Sequence, residues 1–194
     1  LEPAASQLAI AAHLKTLSQP YGQTFKDFNP TEQANLALTR LQKLQTPDGG
    51  FAAWPGQEAA DPFISPYAAQ SLAQAQSAGI SVKPEMMTAV KGYLNKLLAN
   101  PSQSDLCKED LCKAQIRLES LLALAEFGDL RNTFVSDIYA LRTQFDPATQ
   151  LKLVRLLTRL PDWKTEASAL SQQLQALLSQ TGRTATLNLP QTRR

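Results

Sequence analysis

Apolar residues recur along most of this chain at intervals of three and four, which is the spacing of one face of an α-helix. The stripe made by Ala34, Leu38, Leu41 and Leu44 is typical of the pattern. Breaks rich in Pro or Gly separate successive stripes. The pattern therefore predicts about eight helices. They are expected over 3–17, 30–45, 65–78, 83–99, 114–127, 130–143, 147–160 and 165–180.

Residues with capping chemistry stand at two of the predicted helix starts. Asn29 precedes Pro30, and Asp146 precedes Pro147. In each pair the polar side chain can accept hydrogen bonds from free backbone amides, while proline suits the first helical position. The predicted ends are marked by the segment 19–22, by the turn 46–50, by Gly79, Gly128 and Gly182, and by Pro161.

The expected fold is all-α and built from paired helices. Each predicted pair covers roughly 40 residues with short loops, which is a repeat length typical of stacked helical hairpins. Hairpins stacked in line make a solenoid, whereas hairpins stacked around an axis make a complete or incomplete α/α toroid. Periodicity does not separate the two. We expect a helical domain over 1–182, then an extended tail or the start of another segment over 183–194, with one weak strand signal at 184–189.

Composition supports helix and limits the partners. Ala, Leu and Gln are abundant, and they lose little side-chain freedom in a helix. The 194 residues suffice for one well-cored domain. A formal net charge of +2 is too weak to indicate nucleic acid or an anionic membrane as partner. No apolar run approaches the roughly 18 to 20 residues of a membrane span. Because the chain begins with Leu1 rather than Met, we expect a processed or excised piece.

The most specific motif is the turn after the second predicted helix. The residues that characterise it are Gln45, Asp48, Gly49, Gly50, Phe51 and Trp54. Pro47 presets φ for a turn, and Asp48 can bond forward to backbone amides. Gly49 and Gly50 can both adopt positive φ. We therefore expect a tight turn that returns Phe51 against the helix pair.

This turn resembles the Gln-and-aromatic turn of α/α-toroid proteins, and the chain resembles the thioester domain of bacterial alpha-2-macroglobulins. The likeness is carried by the stretches 40–56, 61–69 and 1–8 and extends over about 1–128. The resemblance implies a non-catalytic domain of a large endopeptidase inhibitor in the periplasm or cell envelope. Its implied partners are the other domains of the same chain and target endopeptidases. No cofactor is expected.

The thioester of that family joins a cysteine sulfur to the side-chain carbon of a glutamine three residues later. Glu2 matches the family's glutamate, but Pro3 stands at the glutamine position, and the cysteine would precede Leu1. A second alignment places Gln23 and Lys26 at the cysteine and glutamine positions. The resemblance therefore implies a member without a working thioester, which traps proteases non-covalently or has a structural role.

Cys107 and Cys112 are the only cysteines. Within one regular helix, residues five apart point about 140° apart, so a disulfide would need an irregular turn over 108–111. The periplasmic setting implied by the resemblance favours such a bond, but unpaired thiols remain an alternative. A metal site lacks ligands, since His13 is the only histidine. His13 is interpreted as an ordinary helix residue.

Two other functions remain as alternatives. Phe51, Trp54, Phe63 and Tyr67 could line the pocket of a toroid terpene cyclase, but the aspartates are scattered and zinc ligands for a prenyltransferase are absent. We interpret these aromatics as packing residues. A helical-repeat adaptor with a concave peptide groove is the second alternative. The basic residues of 108–117 and 152–159 are interpreted as solvated helix faces.

Overall fold

The computed structural model describes residues 1–22, 25, 28–103, 107–181 and 184–187. This part of the chain is all-α apart from one short β-hairpin, which confirms the predicted fold class. The helices are α1 Glu2–Tyr21, α2 Pro30–Leu44, α3 Ile64–Ser77, α4 Pro84–Ala99, α5 Asp110–Glu126, α6 Val135–Ala140, α7 Pro147–Leu157 and α8 Lys164–Gln175. Short 3-10 turns lie at Pro101–Gln103, Arg142–Gln144 and Pro161–Trp163, and strands β1 Leu178–Thr181 and β2 Thr184–Leu187 follow α8.

The helices pack as hairpins in two rows. The odd-numbered helices contact one another in succession, α1 with α3, α3 with α5 and α5 with α7. The even-numbered helices form the second row, with α2 on α1, α4 on α3 and α5, α6 on α5, and α8 on α7. Helix α5 therefore lies at the centre of the stack. None of the described helices is both long and apolar enough to cross a lipid bilayer.

Small residues bring the first three helices close together. Ten buried alanines lie on these helices, at Ala4, Ala5, Ala11, Ala12, Ala34, Ala37, Ala68, Ala69, Ala73 and Ala75. Alanine has no side chain beyond Cβ, so the helix axes can approach closely. Leu8, Leu41 and Leu72 fill the remaining space and are fully buried. Burial of each such leucine contributes about 1.5–3 kcal/mol, so this packing fixes the three helices relative to each other.

Charged side chains join the outer surfaces of α5 and α7. Glu119 accepts a hydrogen bond from Lys152 at 2.5 Å. Glu126 accepts from both Arg155 and Arg159, the latter at 2.7 Å. The basic groups are 35–49% exposed, so each pair contributes only about 0–1 kcal/mol. These residues lie on a partly solvated helix face, as the sequence predicts, and also bridge two helices.

Helix α1 continues past its predicted end. The segment 19–22 was expected to break the helix near residue 17, but α1 runs to Tyr21 and ends at Gly22, which has φ 58°. Proline in the last turn removes only one backbone hydrogen bond, so Pro20 is tolerated there. The residue that stops the helix is therefore the glycine, which adopts the left-handed conformation at low cost.

The sixth helix is much shorter than predicted. The expected helix over 130–143 is reduced to α6, because Phe134 has φ 63° and an α-helix cannot pass through that conformation. Arg131 bonds the carboxylate of Asp129 and donates to Asn95 on α4 at 2.6 Å. A local ion pair and one long-range hydrogen bond thus hold the segment where the first helical turn was predicted, and its periodicity does not reveal them.

The helix predicted to reach residue 180 is also too long, whereas the strand signal at 184–189 is confirmed by β2. Leu177 and Leu178 were expected to face inward on a helix reaching residue 180, but α8 ends at Gln175. Leu178 instead begins β1 and is 53% exposed. Strands β1 and β2 pair antiparallel, with Leu178 opposite Leu187. A partner strand thus overrides helical spacing, and there are two strands where one was predicted.

The N-caps of α2 and α7 form as predicted and provide a matched pair of mutations. Asp146 accepts hydrogen bonds from the amides of Ala148 and Thr149. The Thr149 hydroxyl also donates to Asp146, and this bond, reinforced by the amides, lowers the pKa of the carboxyl below its usual value. Asn29 accepts from the amides of Thr31 and Glu32 but carries no titratable group.

We expect Asp146→Ala and Asn29→Ala each to lower the free energy of unfolding by about 1 kcal/mol at pH 7. Because the pKa of Asp146 is depressed in the folded state, its extra stabilisation is present above the unfolded value of about 3.9 and is lost as pH falls through the folded value. Urea unfolding should therefore show the Asp146→Ala deficit shrinking below about pH 4, while the Asn29→Ala deficit stays constant. If the stability deficits of the two variants depend on pH in the same way, the depressed pKa is wrongly assigned to Asp146.

Candidate functional site

The turn between α2 and α3 is held by a dense set of backbone hydrogen bonds. The amide of Gly49 donates to the Thr46 carbonyl at 2.9 Å, and the amide of Thr46 donates to the Gly50 carbonyl at 3.0 Å. Gln45 and Phe51 form an antiparallel bridge. The carboxylate of Asp48 accepts from the Thr46 hydroxyl and from the Gly50 amide. The chain therefore reverses direction within six residues, and Asp48 closes the turn.

The same turn is docked on helix α4. The side-chain amide of Gln45 donates to the carbonyls of Gly49 and Met86, each at 3.2 Å. Gly49 has φ 96°, and a Cβ there would lie 2.2 Å from the carbonyl oxygen of Ala89. Glycine is required at this position both by its φ and by the approach of the α4 backbone.

Gly50 faces a second surface, formed by Ala60 and Tyr93. A Cβ on Gly50 would lie 2.4 Å from the Cβ of Ala60 and 2.8 Å from the ring of Tyr93. Tyr93 is 3% exposed. Its pKa is raised mainly by burial, with Asp48 and Asp61 adding negative charge nearby, although a hydrogen bond to Ser65 acts in the opposite direction. The phenol is therefore neutral across the physiological range.

Ser65 on α3 joins the turn to the next hairpin. Its hydroxyl oxygen accepts from the Phe51 amide at 2.9 Å and donates to the Phe51 carbonyl at 3.2 Å. The Asp61 amide donates to the same carbonyl at 2.8 Å. Phe51 is fully buried. The turn thus contacts α2, α3 and α4 together.

The start of α1 lies beside the loop that follows this turn. The Leu1 nitrogen donates to the Ala53 carbonyl at 3.0 Å, and the hydroxyl groups of Ser6 and Tyr67 are 3.0 Å apart. Glu2 and Pro3, the residues aligned with the thioester motif, are both exposed in the first turn of α1. The second alignment, with Gln23 and Lys26, falls outside the described residues.

The aromatic residues near this site divide into two groups. Phe51 packs in the core, but Trp54, Phe63 and Tyr67 are 70%, 40% and 38% exposed. The interpretation of all four as packing residues is therefore wrong for the last three. Trp54 and Phe63 lie in the loop between the turn and α3, whereas Tyr67 lies on α3 with its hydroxyl 3.0 Å from that of Ser6 on α1.

Acidic and metal-binding side chains do not converge at this site. Asp61 caps α3 by accepting from the amides of Phe63 and Ile64, and Asp48 is engaged within the turn. Among the described residues, no three His, Cys, Asp or Glu side chains lie close enough to hold a metal ion. His13 is exposed, and its Nδ1 is 2.7 Å from the Ala9 carbonyl oxygen.

The two cysteines are joined in a disulfide, with Cα atoms 5.6 Å apart. Helix α5 begins at Asp110, four residues earlier than expected, so Cys112 lies in its first turn and Cys107 before it. The change of direction ahead of α5 brings the sulfur atoms together. Cys107 is buried beside Tyr93, Leu97 and Ile116. The bond therefore ties the segment before α5 to the first turn of α5, and Cys107 packs that segment beside Tyr93, which also contacts the turn.

Sequence analysis missed Tyr93 and Ser65, of which only Tyr93 was detectable in part. Tyr93 lies three residues after Val90 and four before Leu97, which places it in the apolar stripe of α4. No comparable signal identifies Ser65 as a buried hydrogen-bonding residue. Its role depends on the position of Phe51, which is fixed only when the hairpins pack.

Over the residues that the structure describes, the fold and the site together define a stack of helical hairpins organised by one Gly-Gly turn. No protein-family model matches the chain. An alpha-2-macroglobulin homolog from Nostoc sp. is 52% identical over 190 residues, which cover 97% of this chain and 10% of that protein. The chain belongs to the family of bacterial alpha-2-macroglobulins and spans about a tenth of the length of that relative.

Solved structures of this family have the same fold. The structure of Salmonella alpha-2-macroglobulin reacted with methylamine superimposes with a TM-score of 0.73 at 22% identity, covering 94% of this chain and 12% of that one. Trypsin-activated alpha-2-macroglobulin from Escherichia coli gives a TM-score of 0.71 at 20% identity, covering 90% of this chain and 12% of that one.

Gly50→Ala is expected to lower the free energy of unfolding by about 1–3 kcal/mol, because the added methyl group overlaps Ala60 and Tyr93. Gly92→Ala is the matched control, since nothing lies within 4 Å of a Cβ at that position of α4. It should raise stability by up to about 1 kcal/mol through helix propensity. Thermal and urea unfolding measure both effects, and a neutral Gly50→Ala would disprove the tight docking of the turn.

Reduction of the disulfide should lower the free energy of unfolding by about 2 kcal/mol, since the bond restricts a short loop in the unfolded chain. Urea unfolding with and without dithiothreitol tests this expectation. The double variant Cys107→Ser, Cys112→Ser should match the reduced protein and be insensitive to the reductant. If the wild-type protein is equally insensitive, the bond does not contribute to stability.

Proposed function

We propose that this chain is a non-catalytic helical domain of an endopeptidase inhibitor that traps proteases. The observation that carries the proposal is its identity to the Nostoc alpha-2-macroglobulin homolog over almost the whole chain. The trypsin-activated form of the Escherichia coli relative supports endopeptidases as the partners of the parent protein. The remaining partners are the other domains of the same large polypeptide.

In this proposal the domain acts as a rigid body. A protease cuts a bait segment elsewhere in the parent chain, and the parent rearranges around the enzyme. The continuous core of α1, α3, α5 and α7 supports this role. The turn that contacts three helices at once supports it further, because interfaces that are closely packed resist continuous deformation.

We further propose that the domain has no working thioester. Proline has no side-chain carbonyl, so Pro3 cannot supply the acyl carbon that the family's glutamine provides. Glu2 keeps the family's acidic residue at the exposed start of α1. Protease capture by the parent would then be non-covalent and would depend on enclosure of the enzyme.

The proposed location is the periplasm or the cell envelope. The Cys107–Cys112 disulfide supports it, because such bonds persist in oxidising compartments. We also propose that 1–182 forms the helical thioester-like domain and that 183–194 is an extended tail or the start of the next segment. The hairpin of β1 and β2 would connect the two.

The test is made on the full-length parent protein, incubated separately with radiolabelled methylamine and with trypsin. We expect no label in the peptide that contains Glu2 and Pro3, whereas Salmonella alpha-2-macroglobulin serves as a positive control because its methylamine-reacted form is known. Label in that peptide would overturn the loss of the thioester.

Trypsin should co-elute with the parent on size exclusion and separate from it in denaturing gels. Inactivated trypsin is the matched control and should not be retained, since it cannot cut the bait. If active trypsin is not retained, the trapping role is wrong whatever the methylamine result. Retention that survives denaturation would point to covalent capture.

A further inference from the structure

A small group of buried side chains, here called the Tyr93 cluster, lies beside the main core where α4 meets α5. Its members are Tyr93, Leu97, Cys107 and Ile116, with Ala60 and Cys112 packed against them. A satellite cluster of this size depends on each of its members, because few contacts remain when one of them moves. The position of Cys107 therefore affects how firmly Tyr93 is held.

The docked turn rests on two residues of this cluster. A Cβ on Gly50 would overlap Ala60 and the ring of Tyr93, so the Gly50 backbone lies directly against both. Phe51, the next residue, belongs to the main core instead. The turn thus crosses the boundary between the two clusters, and loosening of the Tyr93 cluster would remove the surface on which Gly50 rests.

The disulfide holds Cys107 in the cluster. Residues 107–109 precede α5 and are neither helical nor part of a strand, whereas Cys112 belongs to the first turn of α5. The bond thus joins an irregular segment covalently to the helix at the centre of the stack. Once the bond is reduced, the fully buried Cys107 side chain is held in place by packing alone.

We propose that the redox state of the Cys107–Cys112 bond controls how firmly the turn docks, and that the ring of Tyr93 transmits this effect. With the bond intact, the Tyr93 cluster stays packed and the turn stays closed. With the bond reduced, residues 107–109 are released from α5 and the cluster loosens. The turn then opens more often while the main core remains folded, since opening can be local.

Two thiol groups of a reductant supply the electrons for this step. Cys112 is half-buried and Cys107 is fully buried, so the first reductant thiolate attacks Sγ of Cys112 and forms a mixed disulfide with it. The Cys107 sulfur leaves with the bonding electron pair and takes up a proton. The second thiolate attacks the reductant sulfur of the mixed disulfide. The reductant leaves oxidised to a disulfide, and the Cys112 thiolate is protonated.

The first test compares hydrogen exchange, resolved by NMR and measured without denaturant, in the oxidised chain and in the chain reduced by dithiothreitol. The amides of Thr46, Gly49 and Phe51 are hydrogen-bonded in the docked turn and should exchange several-fold faster after reduction. The amides of Ala148 and Thr149 at the start of α7 are the control, since they open locally at another helix end, and their exchange should not change.

Three results of this test would overturn the proposal. Equal acceleration at the turn and at the α7 control amides would show only a general loss of stability. Unchanged exchange at the turn would show that the bond does not act on it. The double variant Cys107→Ser, Cys112→Ser should show the faster turn exchange without any reductant. If that variant exchanges like the oxidised wild-type chain, the effect belongs to dithiothreitol and not to the bond.

The second test asks whether the ring of Tyr93 transmits the effect. In Tyr93→Leu, which lacks the ring, reduction should no longer change exchange at the turn. Tyr93→Phe keeps the ring and should respond as the wild-type chain does. Tyr139→Leu is the matched control, because Tyr139 lies on α6 and stacks on Trp163 with ring centroids 5.5 Å apart. It should also respond as the wild-type chain does.

If reduction accelerates turn exchange as strongly in Tyr93→Leu as in the wild-type chain, or if Tyr139→Leu abolishes the response as well, transmission through Tyr93 is wrong. The first test involves no substitution of Tyr93, so it decides the redox effect even if Tyr93→Leu does not fold. The inference depends on neither the thioester nor protease retention, and its failure would leave both of those proposals unaffected.

Discussion

The close approach of the Gly49–Gly50 backbone to α4 is the constraint on which this structure depends. Two glycines without side chains let the turn lie against the carbonyl of Ala89 and the ring of Tyr93. The hydrogen bonds of Gln45 and Ser65 then connect that turn to three helices. The contact thus adds a backbone constraint to the packed helix faces that already join the first two hairpins.

The same contact relates the fold to the family's chemistry. The chain that follows the turn contacts the start of α1, where the Leu1 nitrogen donates to the Ala53 carbonyl at 3.0 Å. Glu2 and Pro3 lie exposed in the same first turn. In the proposed member without a working thioester, the architecture would be kept because it depends on the turn and not on the residue at position 3.

Much of the fold was predictable from local chemistry. The Asn29 and Asp146 caps and the apolar stripes of α2, α4 and α5 are short-range features, and the structure confirms them. The failures have a common cause in long-range contacts. Arg131 reaches Asn95 across the stack, and Leu178 pairs with Leu187, so neither segment follows its own periodicity. Trp54 was misjudged because a loop's distance from the core cannot be seen in its composition.

The sequence alone determined the helical class, the pairing of helices into hairpins, the N-caps and the tight turn, since each follows from residues that are close in sequence. It also supplied the proposal that Pro3 stands where the family's thioester glutamine would be. The tertiary structure decided which surface receives the turn, which aromatics remain exposed and where the chain leaves the last hairpin. Those features depend on residues that are distant in sequence and meet only when the helices pack. The spacing of apolar residues along the chain therefore does not predict them.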